Sequence, residues 1–499
     1  MKITANKYRS ICGRLCQLCV TGLFAGILGL QTQAQAADKA LLDILLDNGA
    51  ITAEQYEQLL AKPELSSADV LGGGAESESS PATAADSPEP GSAAGLDPAI
   101  TAEIDRAIDE KLPVKASYTD KGFRLETRDG RFQTNLQWRA QWRYNSIEGP
   151  DPRQVRNFTD PRTSNFEARR LRMKIGGYGY QPWLKYYFEV DLQPSREVDD
   201  DSADGSARVF DWRIDITKWD WASLRVGQWK IDLNRERVDS SGRQQFVERS
   251  IVNRIFTIDR QVGIQLRGRV LKDTPAEFRY YVGAFNGEGR GVANPDGNAM
   301  WMGRLQWNFL GRDLEWRQTD VEYTELPTGS LAFAGSTNTG KCTRWSSEGC
   351  GNLDGFTPVG SADPDQFKVD QTVQELAFKW RGFSLQQEYH RKIVADRTQL
   401  TKNSLTGGYI QSGYFFHYLL EPVPKPLELA MRYAFVDEPN ATDRNLENER
   451  NEFSLVANWF FSGHNNKLTL DYSYLTLNDR FLNQREAENR MRLQWDISF

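Results

Sequence analysis

Three cations stand two apart at Arg170, Arg172 and Lys174, with Leu171, Met173 and Ile175 interleaved. Residues two apart in a strand share a face, so this spacing stacks positive charge on one side and apolar side chains on the other. Arginine is always charged, and its planar fork matches phosphate oxygens. Such an edge can attract anions. It can equally pair with Glu189, Asp191, Asp211 and Asp215 on neighbouring strands and do no more than solvate a wet face. A second cluster spans Asp232–Thr257 and its flanks, where Arg235, Arg237, Arg243, Arg249, Arg254 and Arg260 stand against Asp232, Glu236, Asp239, Glu248 and Asp259. Acidic residues at Glu197, Asp199–Asp201 and Asp204 oppose anion entry in another segment.

Enzymatic chemistry finds little support. His390, His417 and His464 are scattered, and no Ser/His/Asp or metal-ligand spacing stands out. The Gly287–Gly291 stretch is a loop signal, since no strand–helix context surrounds it. We expect no catalytic residue, metal, cofactor or nucleic-acid partner, with a membrane hydrolase built from residues distant in sequence as the alternative.

The elements that must carry these charges are strands. At the carboxyl terminus Met491, Leu493, Trp495, Ile497 and Phe499 alternate with Arg490, Arg492, Gln494, Asp496 and Ser498. An aromatic last residue on the apolar face resembles the terminal strand of bacterial outer-membrane barrels, which barrel-assembly machinery recognises. The same alternation runs through Phe132–Arg143, Leu427–Phe435 and Lys467–Tyr474, and roughly sixteen such segments fit between Arg131 and Phe499. Short joins at Gly179–Pro182, Lys218–Trp221, Leu271–Thr274, Arg381–Gly382 and Ser462–Asn465 alternate with long ones. The long ones centre on Gly149–Ser164, Arg196–Ser206, Asp232–Thr257, Gly287–Asn298, Thr337–Asp365, Ala395–Thr406, Asp437–Glu447 and Asn478–Glu488, while Gly311–Pro327 is long for the short side. That asymmetry suits a transmembrane all-β barrel of antiparallel strands better than a soluble sandwich. The hydrophobic fraction of 39% is then ordinary, because half of each strand faces water.

Ahead of the barrel (114–499) the chain is modular. Lys2, Lys7, Arg9 and Arg14, then Leu15–Leu30, then Ala34-Gln35-Ala36 read as an export signal (1–36). A helical hairpin (37–62), a flexible Ala/Ser/Gly/Pro linker (63–96) and a short helix (97–113) follow. Cys12, Cys16 and Cys19 would leave with the signal. Cys342 and Cys350 then remain, and in an exported protein they are expected to staple a loop by a disulfide. From Val114 onward 53 basic residues meet 52 acidic ones, so bulk charge does not decide the sign of any transported ion.

A more specific signal runs from Gly227. Gly227-Gln228-Trp229-Lys230, then Glu236, then Glu248-Arg249-Ser250, then Arg260 and Gly263, resembles the phosphate-selective porin O/P family. The Leu41–Thr52 stretch with Glu54–Leu59, and Gly407–Phe416, add to the resemblance. The usual Pro-Phe is Asp232-Leu233 here, and a linker replaces a longer coiled coil. The resemblance implies a homotrimeric outer-membrane porin of sixteen strands, surrounded by lipid and lipopolysaccharide. It also implies a third long loop, Asp232–Thr257, folded inward to narrow the pore, and a channel lined by Arg and Lys that passes small anions, phosphate among them. Arg235, Arg237 and Arg243 are then the candidates for solute contact, with Arg170, Arg172, Lys174 and Arg260 continuing the path. Glu248 and Arg249 are candidates for anchoring the loop. A porin without anion selectivity and a barrel that tethers the envelope are the alternatives.

Overall fold

The computed structural model describes residues 114–148, 163–193, 207–294, 297–347 and 349–499. The expected signal, helical hairpin, linker and short helix lie outside the described residues. Two short strands come first, β1 (Val114–Thr119) and β2 (Gly122–Thr127). Then come β3 (Phe132–Glu148), β4 (Thr163–Gly179), β5 (Gln181–Asp191), β6 (Arg208–Trp219), β7 (Ala222–Lys230), β8 (Arg260–Val270), β9 (Glu277–Phe285), β10 (Met300–Asn308) and β11 (Thr328–Gly340). A small hairpin, β12 (Arg344–Ser346) and β13 (Gly349–Gly351), interrupts the series. It resumes with β14 (Phe367–Trp380), β15 (Phe383–Asp396), β16 (Thr401–Tyr414), β17 (Leu427–Pro439), β18 (Glu447–Ser462), β19 (Asn466–Asp479) and β20 (Gln484–Ser498).

Strands β3–β11 and β14–β20 form one closed barrel of 16 antiparallel strands. Closure comes from β20 lying on β3, from Arg492 opposite Asn145 to Ser498 opposite Arg139. Closing the sheet pairs every backbone edge, which is what a spanning strand requires in hydrocarbon.

Along most strands the charged set is the buried one, with Lys368, Arg391 and Lys402 among the outward exceptions. On β20, Arg490, Arg492, Gln494 and Asp496 are buried while Met491, Leu493 and Trp495 are exposed. The outward band of Trp, Phe, Leu and Tyr suits lipid, and the charges point into the lumen.

The structure departs from sequence expectation in three places. The β1–β2 hairpin was not foreseen. It pairs with the lower part of β3, Phe123 opposite Leu136 and Glu126 opposite Gln133, where β20 has already ended. Its strands are only six residues each, too short for alternation to announce them. Second, the joins near 395–406, 437–447 and 478–488 are tight turns at 397–400, 440–446 and 480–483. Polar residues there continue the ladder as ribbon, because an extended edge pairs as well in water as in lipid. Third, the join between β16 and β17, at 415–426, is longer than every short-side turn except the β10–β11 join at 309–327, and it includes a single 3-10 turn at Phe416–Tyr418.

Candidate pore constriction

The loop between β7 and β8, residues 231–259, folds into the barrel and carries two short helices, α1 (Arg235–Val238) and α2 (Ile251–Phe256). The end of β7 sets its course. Gly227 has φ 128, and a Cβ there would sit 2.2 Å from the Trp212 carbonyl oxygen, so only glycine fits. Gln228 donates to the Phe210 carbonyl (2.7 Å) and accepts the Gly291 amide (2.6 Å). Trp229 is buried edge-on against Phe285. Lys230 Nζ then donates to the carbonyls of Arg237 (3.0 Å), Val238 (3.3 Å) and Asp239 (3.1 Å). A cation there satisfies the orphan carbonyls at the end of α1.

The other end of α1 is held by the opposite wall. The Arg235 amide donates to Glu375 (2.9 Å) and the Glu236 amide to Glu388 (2.6 Å). Arg304 ties the same Glu375 (2.6 Å) to the Leu233 carbonyl (3.0 Å). The returning leg is fastened by Glu236, whose carboxylate accepts the amide (2.7 Å) and hydroxyl (2.9 Å) of Ser250. Glu452 takes the Ile251 amide (2.9 Å). Apolar residues finish the attachment: Ile251, Val252, Ile255 and Phe256 pack with inward-facing Val369, Val373, Val394, Leu405, Ala434 and Val436. Buried apolar area of this kind is worth about 25 cal/mol per Å². The loop therefore fills the β14–β18 side of the lumen.

Burial pushes the Glu236 carboxyl up to about 6, with Glu388 adding to the effect and Arg432 opposing it. Asp259 goes the other way. Burial alone would raise it, but Arg237 and Arg260 beside it hold it well below the ordinary carboxylate range.

What stays open is a cavity of about 600 Å³ between the loop and the wall of β3–β8. Nine cations line it, including Arg172, Lys174, Lys185, Lys230 and Arg243, against the four carboxylates Glu189, Asp211, Asp215 and Asp232. Those carboxylates are already paired. Glu189 meets Arg172 (2.6 Å), Asp211 meets Arg260 (2.5 Å), and Asp215 meets Arg225 (2.6 Å) and Arg267 (3.0 Å). Asp232 lies 3.6 Å from Arg225. The remaining field in the cavity is positive.

The structure separates the candidate residues by what each of them touches. Arg243 is half-buried and makes no side-chain ion pair among the described residues. It lines both this cavity and a neighbouring one of about 410 Å³. Lys174 lines the larger cavity and donates to Gln137 (3.2 Å), and Arg172 lines it while paired with Glu189. Arg170 bonds Gln141 (2.8 Å) and lies 3.6 Å from Glu248. Arg260 belongs to the Asp211–Asp259 network. Arg235 is buried over Trp316 with its guanidinium on the Glu315 carbonyl (2.5 Å), and Arg237 pairs with Asp259. Glu248 meets Arg143 (2.8 Å) and Arg169 (2.8 Å) on the barrel wall. Arg249 braces the loop internally through the carbonyls of Glu236 (2.8 Å) and Asp239 (2.8 Å). Cys342 and Cys350 are bonded, Cα to Cα 5.6 Å, at the β12–β13 hairpin.

Sequence reasoning did not place Lys185, Arg213, Arg225, Lys230 and Arg267 on the solute path. All five line the cavity. The available signal was inward register: Arg213 sits between Asp211 and Asp215 on β6, and Arg225 lies opposite Asp215.

The sequence model of the phosphate-selective porin O and P family matches residues 134–301 and 360–497. A search of the curated proteins finds no match. Among solved structures, the outer membrane channel DcaP of Acinetobacter baumannii is similar at 12% identity, covering 75% of this chain and 99% of that one, with a TM-score of 0.48. The anion-selective porin from Comamonas acidovorans is 11% identical over 73% of this chain and 99% of its own, TM-score 0.45. Salmonella typhi OmpF is 12% identical, covering 75% of this chain and all of that one, TM-score 0.47.

Proposed function

This chain belongs to the phosphate-selective porin O and P family and is an outer-membrane channel, and we propose that it passes small anions, phosphate among them, by passive diffusion. One observation carries the sign of the selectivity: the open side of the constriction presents nine cations and four carboxylates, and the carboxylates are ion-paired. A low-dielectric wall focuses such a field, so a modest local excess of positive charge sorts ions by sign although the barrel as a whole is nearly neutral. Arg243, Lys174 and Lys185 are the solute-facing groups of this reading. Several weak sites in series favour release as well as entry. Arg235, Arg237, Arg170 and Arg260 act on the path indirectly, by holding loop and wall in place. The family also supports a homotrimer as the working assembly.

Reversal potentials in a planar bilayer across a chloride gradient test this. Replacing Arg243, Lys174 and Lys185 together by Ala lowers the anion-to-cation permeability ratio by roughly threefold or more, and weakens block of chloride current by phosphate. An unchanged ratio in a folded barrel overturns the assignment.

A further inference from the structure

On the outside of the barrel, one cross-strand row carries two neighbouring glycines. Gly303 of β10 lies opposite Val282 of β9 and Gly335 of β11, Gly335 opposite Thr372 of β14, and Thr372 opposite Arg391 of β15. Both glycines point outward, and glycine weakens a strand interior relative to alanine. Neither is demanded by the backbone. A Cβ on Gly303 would meet nothing within 4 Å, and one on Gly335 would make ordinary contact with the Gln371 carbonyl oxygen at 3.4 Å.

The result is a gutter across the outer face, in two connected lobes of about 570 and 720 Å³. Trp301, Leu305, Phe333 and Tyr389 stand exposed as its banks. At its β15 end sits Arg391, exposed and with no ion pair or hydrogen bond among the described residues. Lys368 and Lys402 lie on the same outward face, toward the end of the strands that carries the long connections. Lys368 reaches Asp370 at 4.0 Å, and Asp370 also accepts the Thr337 hydroxyl (2.6 Å). A guanidinium without an ion pair among the described residues, at one end of an apolar slot, combines two recognitions in one place.

We propose that this gutter is a binding site for a phosphorylated membrane lipid, its acyl chain over Gly303 and Gly335 and its phosphate on Arg391. Lys402 and Lys368 provide further positive charge above the phosphate. The site lies outside the channel and does not depend on what the channel passes.

Native mass spectrometry of the purified full-length protein in detergent tests the site. The probes are bisphosphorylated hexa-acyl lipid A, the same lipid without its phosphates, and inorganic phosphate. Wild type retains the bisphosphorylated lipid, and Arg391→Ala weakens it about tenfold, equivalent to about 1.4 kcal/mol. Gly303→Leu with Gly335→Leu weakens both lipids, while channel conductance, recorded for every variant, stays at the wild-type value and reports a folded barrel. Equal retention of the two lipids, unchanged binding in these variants, or displacement of the lipid by inorganic phosphate overturns the proposal.

Discussion

The Glu236 carboxylate accepts both the amide and the hydroxyl of Ser250, at 2.7 and 2.9 Å, and so joins the outgoing and returning legs of the inward loop. This single side chain joins two residues fourteen positions apart in the chain. It also provides an acceptor at the start of α2, where unpaired amides need one.

Breaking that clasp should loosen the constriction before it touches the barrel. Glu236→Ala leaves the Ser250 amide and hydroxyl without their partner, a cost of about 1–3 kcal/mol. Single-channel recordings should show larger and noisier conductance with the barrel still heat-modifiable. Steady wild-type currents from the variant would show that the clasp is dispensable.

The same residue makes a pH prediction. Its carboxyl titrates near 6 in the folded protein, above its ordinary value of 4.5. The folded state therefore binds the proton more tightly than the unfolded state does. Its contribution to stability is fully present below pH 4.5 and is lost as pH rises through 6. Glu236→Gln removes the titration. Melting temperatures measured from pH 4 to 7 should shift in the variant's favour, relative to wild type, as pH rises across that window. A constant difference would contradict the buried titration.

At the seam of the barrel, Phe499 and Trp138 exchange backbone hydrogen bonds of 3.0 and 2.7 Å. Phe499→Ser keeps those bonds and loses only the outward ring, whereas deleting Phe499 removes both, worth about 2 kcal/mol together. The substitution should lower the yield of assembled protein in membranes while sparing the melting temperature of what does assemble. The deletion should lower both. Comparing heat-modifiable protein on gels with thermal melts of purified samples separates the two effects.

The Cys342–Cys350 bond closes a short loop, and in the chain-entropy account it contributes about 2–3 kcal/mol to local order. Trp345 also anchors this hairpin, through its indole nitrogen on the Gly287 carbonyl (2.7 Å). Replacing both cysteines by Ser should raise hydrogen exchange across β12–β13 and leave ion selectivity alone. Thiols that alkylate without prior reduction in the wild type would remove the basis for this expectation.

The alternation of residues such as Arg490–Phe499 by itself determined the strands, their inward and outward faces and the closing role of the last one, because side-chain direction in a strand is a local property of period two. The run from Gly227 to Gly263 likewise marked the loop that matters. Sequence could not sort that loop's arginines. Arg235, Arg237 and Arg243 look alike in the chain, yet Arg235 meets the Glu315 carbonyl and the Trp316 ring, Arg237 meets Asp259, and Arg243 meets open space. Their fates depend on partners that the barrel brings from far along the chain, such as Glu375 and Glu388 capping α1. The Gly303–Gly335–Thr372–Arg391 row was hidden for the same reason. Its members span four strands, and only the register of the closed sheet sets them side by side.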